Sequence, residues 1–169
     1  MRDLSKKAVR ILVIQEFAKS GGAATLNLTE ETCSEEQAET VARQTDEVTV
    51  LLVEDTEDNR QMMRRLLEMS GYRVLEATNG REAVEIASLE QPQIILMDLS
   101  LPLIDGLAAT RRIRSLPGLS KVPIVAVSAH DTADFHRDAL DAGCDAYITK
   151  PIDYPELEDM VNRLLSRDP

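Results

Sequence analysis

Basic residues are scarce in this chain of 169 residues: 19 Lys and Arg stand against 30 Asp and Glu, for a net charge of −11. Nucleic-acid phosphates call for a basic face, so direct binding to DNA or RNA is not expected. Long apolar runs are missing too. None exceeds about five residues, far short of the ~20 that a membrane-spanning helix needs. The start of the chain does not read as a signal peptide, because the run Ile11–Ile14 is short and no small-residue cleavage site follows it promptly. Cysteine is nearly absent. Cys33 and Cys144 supply neither a disulfide framework nor zinc-ligand spacing, and two reduced thiols suit a cytoplasmic protein. What remains is ordinary for a globular chain, with 43% hydrophobic and 29% charged residues. The length fits one domain and an appendage.

The charge is uneven. Residues 1–19 carry five basic residues against Asp3 and Glu16, a net of +3, whereas residues 20–46 carry six acidic residues against Arg43 alone, a net of −5. Ser20-Gly21-Gly22-Ala23-Ala24 and the polar run after it read as a linker. Thr32 and Glu35 fit a capping box for a short helix over 33–43. Ala8–Ala18 is apolar on helical and strand templates alike, so its type stays open. We expect residues 1–46 to be a mobile extension with at most one or two short helices, because they lack the apolar patterning for a second core. Val9–Phe17 is the part apolar enough to dock elsewhere. Residues 47–169 form the domain proper.

From Val48 onward, short β-branched runs alternate with helical periodicity. The strand-like runs are Val48–Val53, Arg73–Ala77, Ile94–Met97, Val122–Val127 and Ala146–Thr149. The first helix sets Met62 and Met63 with Leu66, Leu67 and Met69, and stops at Ser70-Gly71. The second starts at Asn79 with Glu82 at the box position, and its periodicity buries Ala83, Ile86, Ala87 and Leu89. The third follows Asp105 as N-cap, and the fourth runs from Asp131 or Thr132 to Gly143. Asp153 caps the fifth, with Pro155 in its first turn. Runs such as Val50-Leu51-Leu52-Val53 and Ile94-Ile95-Leu96-Met97 are apolar at every position, as strands covered on both faces must be. Five βα units of this kind imply an α/β fold, a doubly wound parallel sheet with right-handed crossovers.

Ligands in such folds bind beyond the carboxyl ends of the strands. There the chain carries Glu54-Asp55, Asp98, Ser128 and Lys150-Pro151. An acidic residue after a strand is by itself ordinary, often a cap or a solvated loop. Three carboxylates brought together would repel one another unless a cation joined them, and hard oxygen ligands of this charge suit Mg²⁺. A lysine at the same spot offsets charge and can hold a phosphoryl oxygen. The chemistry suggested is phosphoryl transfer onto a carboxylate.

Over about Val48–Arg167 the sequence closely resembles the receiver domain of two-component response regulators, the CheY-like superfamily. The resemblance is carried by Val50-Leu51-Leu52-Val53-Glu54-Asp55, by Met97-Asp98-Leu99-Ser100-Leu101-Pro102-Leu103-Ile104-Asp105-Gly106, by Val125-Ala126-Val127-Ser128-Ala129-His130 and by Tyr147-Ile148-Thr149-Lys150-Pro151. It implies a five-stranded flavodoxin-like sheet of order 2-1-3-4-5, which sets strands one and three side by side. It implies Asp98 as phosphoacceptor. Asp55, Asp98 and the backbone carbonyl of Ser100 would be direct Mg²⁺ ligands, with Glu54 acting mostly through water. Lys150 would pair with Asp98 and then with the phosphoryl group, Ser128 would move toward that group, and Tyr147 would turn inward after it. A cis Lys150–Pro151 bond is expected. Tyr147 could equally be plain core packing. His130 would be an exposed loop residue that tunes, with Ser100, how water reaches the acyl phosphate, and His136 has no visible partner.

The resemblance further implies a cytoplasmic, stand-alone switch that is not an enzyme beyond its own phosphorylation and dephosphorylation. Its partners would be a sensor histidine kinase or histidine phosphotransfer protein. Downstream lies an output protein or a second copy, met through the helix four–strand five–helix five face near Asp134 and Arg137. The chain ends at Pro169 after the fifth helix, so output by protein contact, without a C-terminal effector domain, is the expectation. One alternative is the receiver of a hybrid sensor kinase. Another is an aspartyl-nucleophile phosphatase, which would need an acid where Ser100 stands.

Overall fold

The structure, a computed structural model, describes residues 9–15, 27–33 and 47–166. The chain divides into two units, 1–47 and 48–169. In the first unit, β1 (Val9–Gln15) pairs antiparallel with β2 (Asn27–Cys33), with Leu12 opposite Glu30. This corrects the expectation of short helices at most. Val9, Ile11, Val13 and Ile14 are β-branched, which favours the extended chain. Thr32 and Cys33, expected at the start of a helix, end β2 instead. The rest of that expected helix lies outside the described residues.

In the second unit five strands alternate with five helices: β3 (Thr49–Val53), α1 (Glu57–Met69), β4 (Arg73–Ala77), α2 (Gly80–Glu90), β5 (Ile94–Asp98), α3 (Gly106–Arg114), β6 (Ile124–Ser128), α4 (Ala133–Ala142), β7 (Ala146–Thr149) and α5 (Tyr154–Leu165). The sheet is parallel throughout, in the order β4-β3-β5-β6-β7. Counted within this unit alone, that is 2-1-3-4-5. β6 begins two residues later than its β-branched run suggested, because Pro123 precedes the ladder and cannot donate to it.

The period of two along each buried strand splits the core into two layers. Leu51, Val53, Ile95, Met97, Ile124 and Ala126 face α2, α3 and α4, where Ala83, Ala87, Ala109, Ile113 and Ala139 receive them. Val50, Leu52, Ile94, Leu96, Val125 and Ile148 face α1 and α5, against Met63, Leu67, Leu157, Val161 and Leu164. Each fully buried aliphatic side chain contributes about 1.5–3 kcal/mol, so the paired layers fix the sheet firmly. Leu89 departs from the expected pattern: it is 81% exposed, because α2 turns its Ala83 and Ala87 side inward and the final turn overhangs the core.

The helix starts are built as the sequence implies. Asn79 accepts hydrogen bonds from the amides of Arg81 and Glu82, while Glu82 reaches back to the Thr78 amide and hydroxyl. Those bonds, led by the Thr78 amide, hold the Glu82 carboxyl below its ordinary pKa. Asp105 and Asp153 accept from the amides of Ala108 and Glu156. Gly143 closes α4 in the left-handed region, at φ 102°, where a side chain would be strained.

Candidate functional site at the carboxyl edge of the sheet

Because β3 and β5 are neighbours, their carboxyl ends bring Glu54 and Asp55 beside Asp98. One carboxylate oxygen from each of the three lies within 4.8 Å of the others. Asp98 is 3% exposed and Glu54 4%, while Asp55 is exposed. Two carboxylates this buried require a cation nearby. Lys150 supplies it, with Nζ 2.6 Å from Asp98 Oδ2 and 2.7 Å from Glu54 Oε2. Burial pulls the lysine pKa down, but the hydrogen bonds from Asp98 and Glu54 and their charges outweigh it, and the net shift is upward. The Lys150–Pro151 bond is cis, as the sequence reading expects.

The remaining oxygens are also held. The Ser100 amide donates to Asp98 Oδ1 at 2.7 Å, so the backbone at Ser100 lies against the carboxylate. Glu54 Oε1 accepts from Asn59 Nδ2 at 3.3 Å and from the Thr56 amide at 3.4 Å. Arg60 Nη1 donates to the backbone carbonyl of Glu54 at 3.0 Å. Gly106 sits hard against the backbone of Asp98, and a Cβ there would overlap the Asp98 carbonyl oxygen. The loop between β5 and α3 is thereby folded tightly onto the end of β5. Within it Leu103 adopts φ 67°, uncommon for a leucine, and stands exposed.

Ser128 ends β6, 1% exposed, and its Oγ accepts from the His130 amide at 3.1 Å. Tyr147, mid-way along β7 and half-buried, donates its hydroxyl to the backbone carbonyl of His130. The His130 ring is exposed and stacks on Phe135, centroids 4.3 Å apart. His136, expected to have no partner, has two. Its ring stacks on Tyr147 at 3.9 Å, and its Nε2 lies 3.0 Å from Asp131 Oδ1. That correction was out of reach of the sequence, since the contact joins α4 to β7 across the sheet edge. Glu54 binding Lys150, 96 residues away, and Asn59 supporting Glu54 were missed for the same reason; the one available signal was the acidic pair itself.

The donor set fits a hard divalent cation. Three carboxylates against one ammonium leave two negative charges, all on oxygen, with one of the carboxylates open to solvent. Among the described residues no other group of three such side chains could hold a metal ion, and no helix is long and apolar enough to cross a membrane.

Fold and site together define a receiver: a doubly wound parallel sheet with an acid pocket and a lysine at its carboxyl edge. The comparisons agree, and the chain belongs to the response regulator receiver domain family, whose pattern it matches over residues 50–162. It is similar to the polar-differentiation response regulator DivK of Brucella anthropi, 36% identical over 116 residues that cover 69% of this chain and 94% of the relative. Among solved structures it resembles the receiver domain of a sensor histidine kinase from Pseudomonas aeruginosa PAO1, which has a magnesium ion coordinated in its active-site cleft. That match is 35% identical, has a TM-score of 0.68, and covers 72% of this chain and 99% of the other. It also resembles the signal receiver domain of a histidine kinase from Syntrophus aciditrophicus, at 34% identity and a TM-score of 0.66, over 70% and 90% of the two chains. The protein is thus a signalling domain of two-component systems.

Proposed function

We propose that Asp98 accepts a phosphoryl group from a sensor histidine kinase or histidine phosphotransfer protein in the cytoplasm, and that the phosphorylated domain changes its protein contacts. The supporting observation is a buried carboxylate held between Lys150 and the Ser100 amide, beside two further carboxylates. In the transfer, Asp98 Oδ forms the new O–P bond as the N–P bond to the donor imidazole breaks, and that imidazole takes up a proton. Lys150 shifts from Asp98 to a phosphoryl oxygen while keeping Glu54. Ser128 donates its hydroxyl to another phosphoryl oxygen. Asp55, Asp98 and the Ser100 carbonyl would hold Mg²⁺, with Glu54 reaching it mostly through water, and the ion would supply positive charge against the transferred oxygens. The domain performs no other reaction. Residues 47–169 carry all of this, and residues 1–46 are an extension on which it does not depend.

Acetyl phosphate with Mg²⁺ should label the full chain once, as an acid-stable, base-labile acyl phosphate. Asp98→Asn should abolish the label, and undiminished stoichiometric labelling of that variant would refute the assignment. The shortened chain 47–169 should melt and label like the full chain. A large drop in its melting temperature would assign Val9–Phe17 to the fold.

Output should leave through the face of α4, β7 and α5, where Asp134 and Arg137 are exposed and paired at 2.6 Å, toward an output protein or a second copy. Hydrogen exchange on that face should differ with and without a phosphoryl mimic. A second reading, the receiver of a hybrid sensor kinase, is favoured by the two histidine-kinase receivers among the structural neighbours. A panel of purified kinases and phosphotransfer proteins, ranked by labelling rate, separates the two. A phosphatase is disfavoured, because Ser100 occupies the position of the required acid and its backbone caps Asp98.

A further inference from the structure

A continuous chain of contacts runs from Ser128 to the outside of the domain. The His130 amide donates to Ser128 Oγ, and the His130 carbonyl accepts the Tyr147 hydroxyl. The Tyr147 ring lies on the His136 ring, with 24° between their planes. His136 Nε2 meets Asp131 Oδ1. An ionised carboxylate only accepts, so Nε2 carries the proton and donates, which fixes both the tautomer and the direction of the imidazole.

Two features make this more than incidental packing. Tyr147 is on an edge strand and only half-buried, so the core does not dictate its rotamer. One hydrogen bond and one stacked ring hold it. The start of α4 also lacks its own clamp, because Thr132 at the N-cap makes no side-chain hydrogen bond to the helix. The Asp131–His136 pair spans that position and ties the loop after β6 to the helix instead.

We propose that His136 is a positioning residue for Tyr147. Its imidazole, oriented by Asp131, is the seat that holds the phenol on the His130 carbonyl, and so links the placement of Tyr147 to the backbone just beyond Ser128. The seat itself follows from the geometry. Its consequence for signalling rests on the reading of Ser128 and Tyr147 as the pair that responds to phosphorylation. By that reading, any change in the stability of the seat alters the balance between the two arrangements of the domain.

The test uses the full chain with labelled tyrosine rings, followed by NMR. Tyr147→Phe assigns the signal among the three tyrosines. His136→Ala should move the Tyr147 ring protons downfield, since the shielding face is gone, and should average its χ1 couplings. His136→Phe restores a stacking face and should restore both. Asp131→Ala, which frees the imidazole to turn, should shift the ring in the same direction as His136→Ala. His136 is half-exposed, so the fold should survive these changes. Unchanged ring signals in His136→Ala, or a His136→Phe variant no better than alanine, would overturn the seat.

The functional arm titrates beryllium fluoride in Mg²⁺ and follows the same signal. Loss of a stacked aromatic partner should displace the midpoint by roughly threefold or more. An unmoved midpoint beside moved ring signals would refute the link to the switch. Failure of the unaltered protein to bind beryllium fluoride would instead count against Asp98 as phosphoacceptor, while the ring signals still decide the seat.

Discussion

At the ends of β3 and β5 the side chains are charged, buried and ion-paired. At the ends of β6 and β7 they are neutral, and single hydrogen bonds or stacked rings hold them. Lys150 follows β7 in the chain but reaches back across β6 to join the charged half. The charged half has little freedom to move, since separating Glu54 or Asp98 from the ammonium would leave a desolvated charge. The neutral half can rearrange at low cost, because each of its hydrogen bonds contributes only about 0.5–1.5 kcal/mol net. One end of the sheet is therefore suited to hold a reacting group, and the other to register its arrival.

The largest test of this contrast is Lys150→Met. It strands Glu54 and Asp98 together and should cost about 3 kcal/mol by urea denaturation, with part recovered on adding Mg²⁺. A cost below about 1 kcal/mol would mean that water already screens the pocket. Next comes Gly106→Ala, which changes no polar side chain of the site. Its Cβ must displace the Asp98 backbone, so a loss of about 1–3 kcal/mol and slower Asp98 labelling should appear together. Unaffected labelling would show that the loop yields without moving the carboxylate.

Mg²⁺ at ten times its Kd should stabilise the domain by about 1.4 kcal/mol, read as a higher Tm, and Asp55→Asn should remove most of that gain. An equal gain in the variant would take Asp55 out of the ligand set. In the neutral half, Ser128→Ala should cost only about 1 kcal/mol, because a single hydrogen bond is lost. A cost as large as that of Lys150→Met would erase the distinction between the halves.

The smallest effect serves as a reference outside both halves. Glu82 has a folded pKa below its ordinary value of 4.5, so its stabilisation is complete above that value and is lost as pH falls through the folded pKa. Glu82→Gln should flatten the acid limb of the stability curve slightly and leave the neutral region nearly unchanged. A steeper acid limb in the variant would contradict the sign.

What the sequence decided by itself is whatever depends on near neighbours along the chain. The all-apolar runs at 50–53 and 94–97 could only be strands covered on both faces, and Asn79, Asp105 and Asp153 announced their helices through bonds to amides two or three residues on. The acidic pair at 54–55, Asp98 and Lys150 were legible as strand-end residues, and the family resemblance set their expected roles. The tertiary structure decided the rest. It put Lys150 on Glu54 as well as Asp98, seated Tyr147 on His136, pressed Gly106 against Asp98 and left Leu89 in solvent. It also paired β1 with β2, where apolar content alone left helix and strand equally open. The physical reason is range: periodicity and capping act over a few residues, whereas a contact between Glu54 and Lys150 exists only once crossovers have ordered the strands and two packed layers have fixed their register.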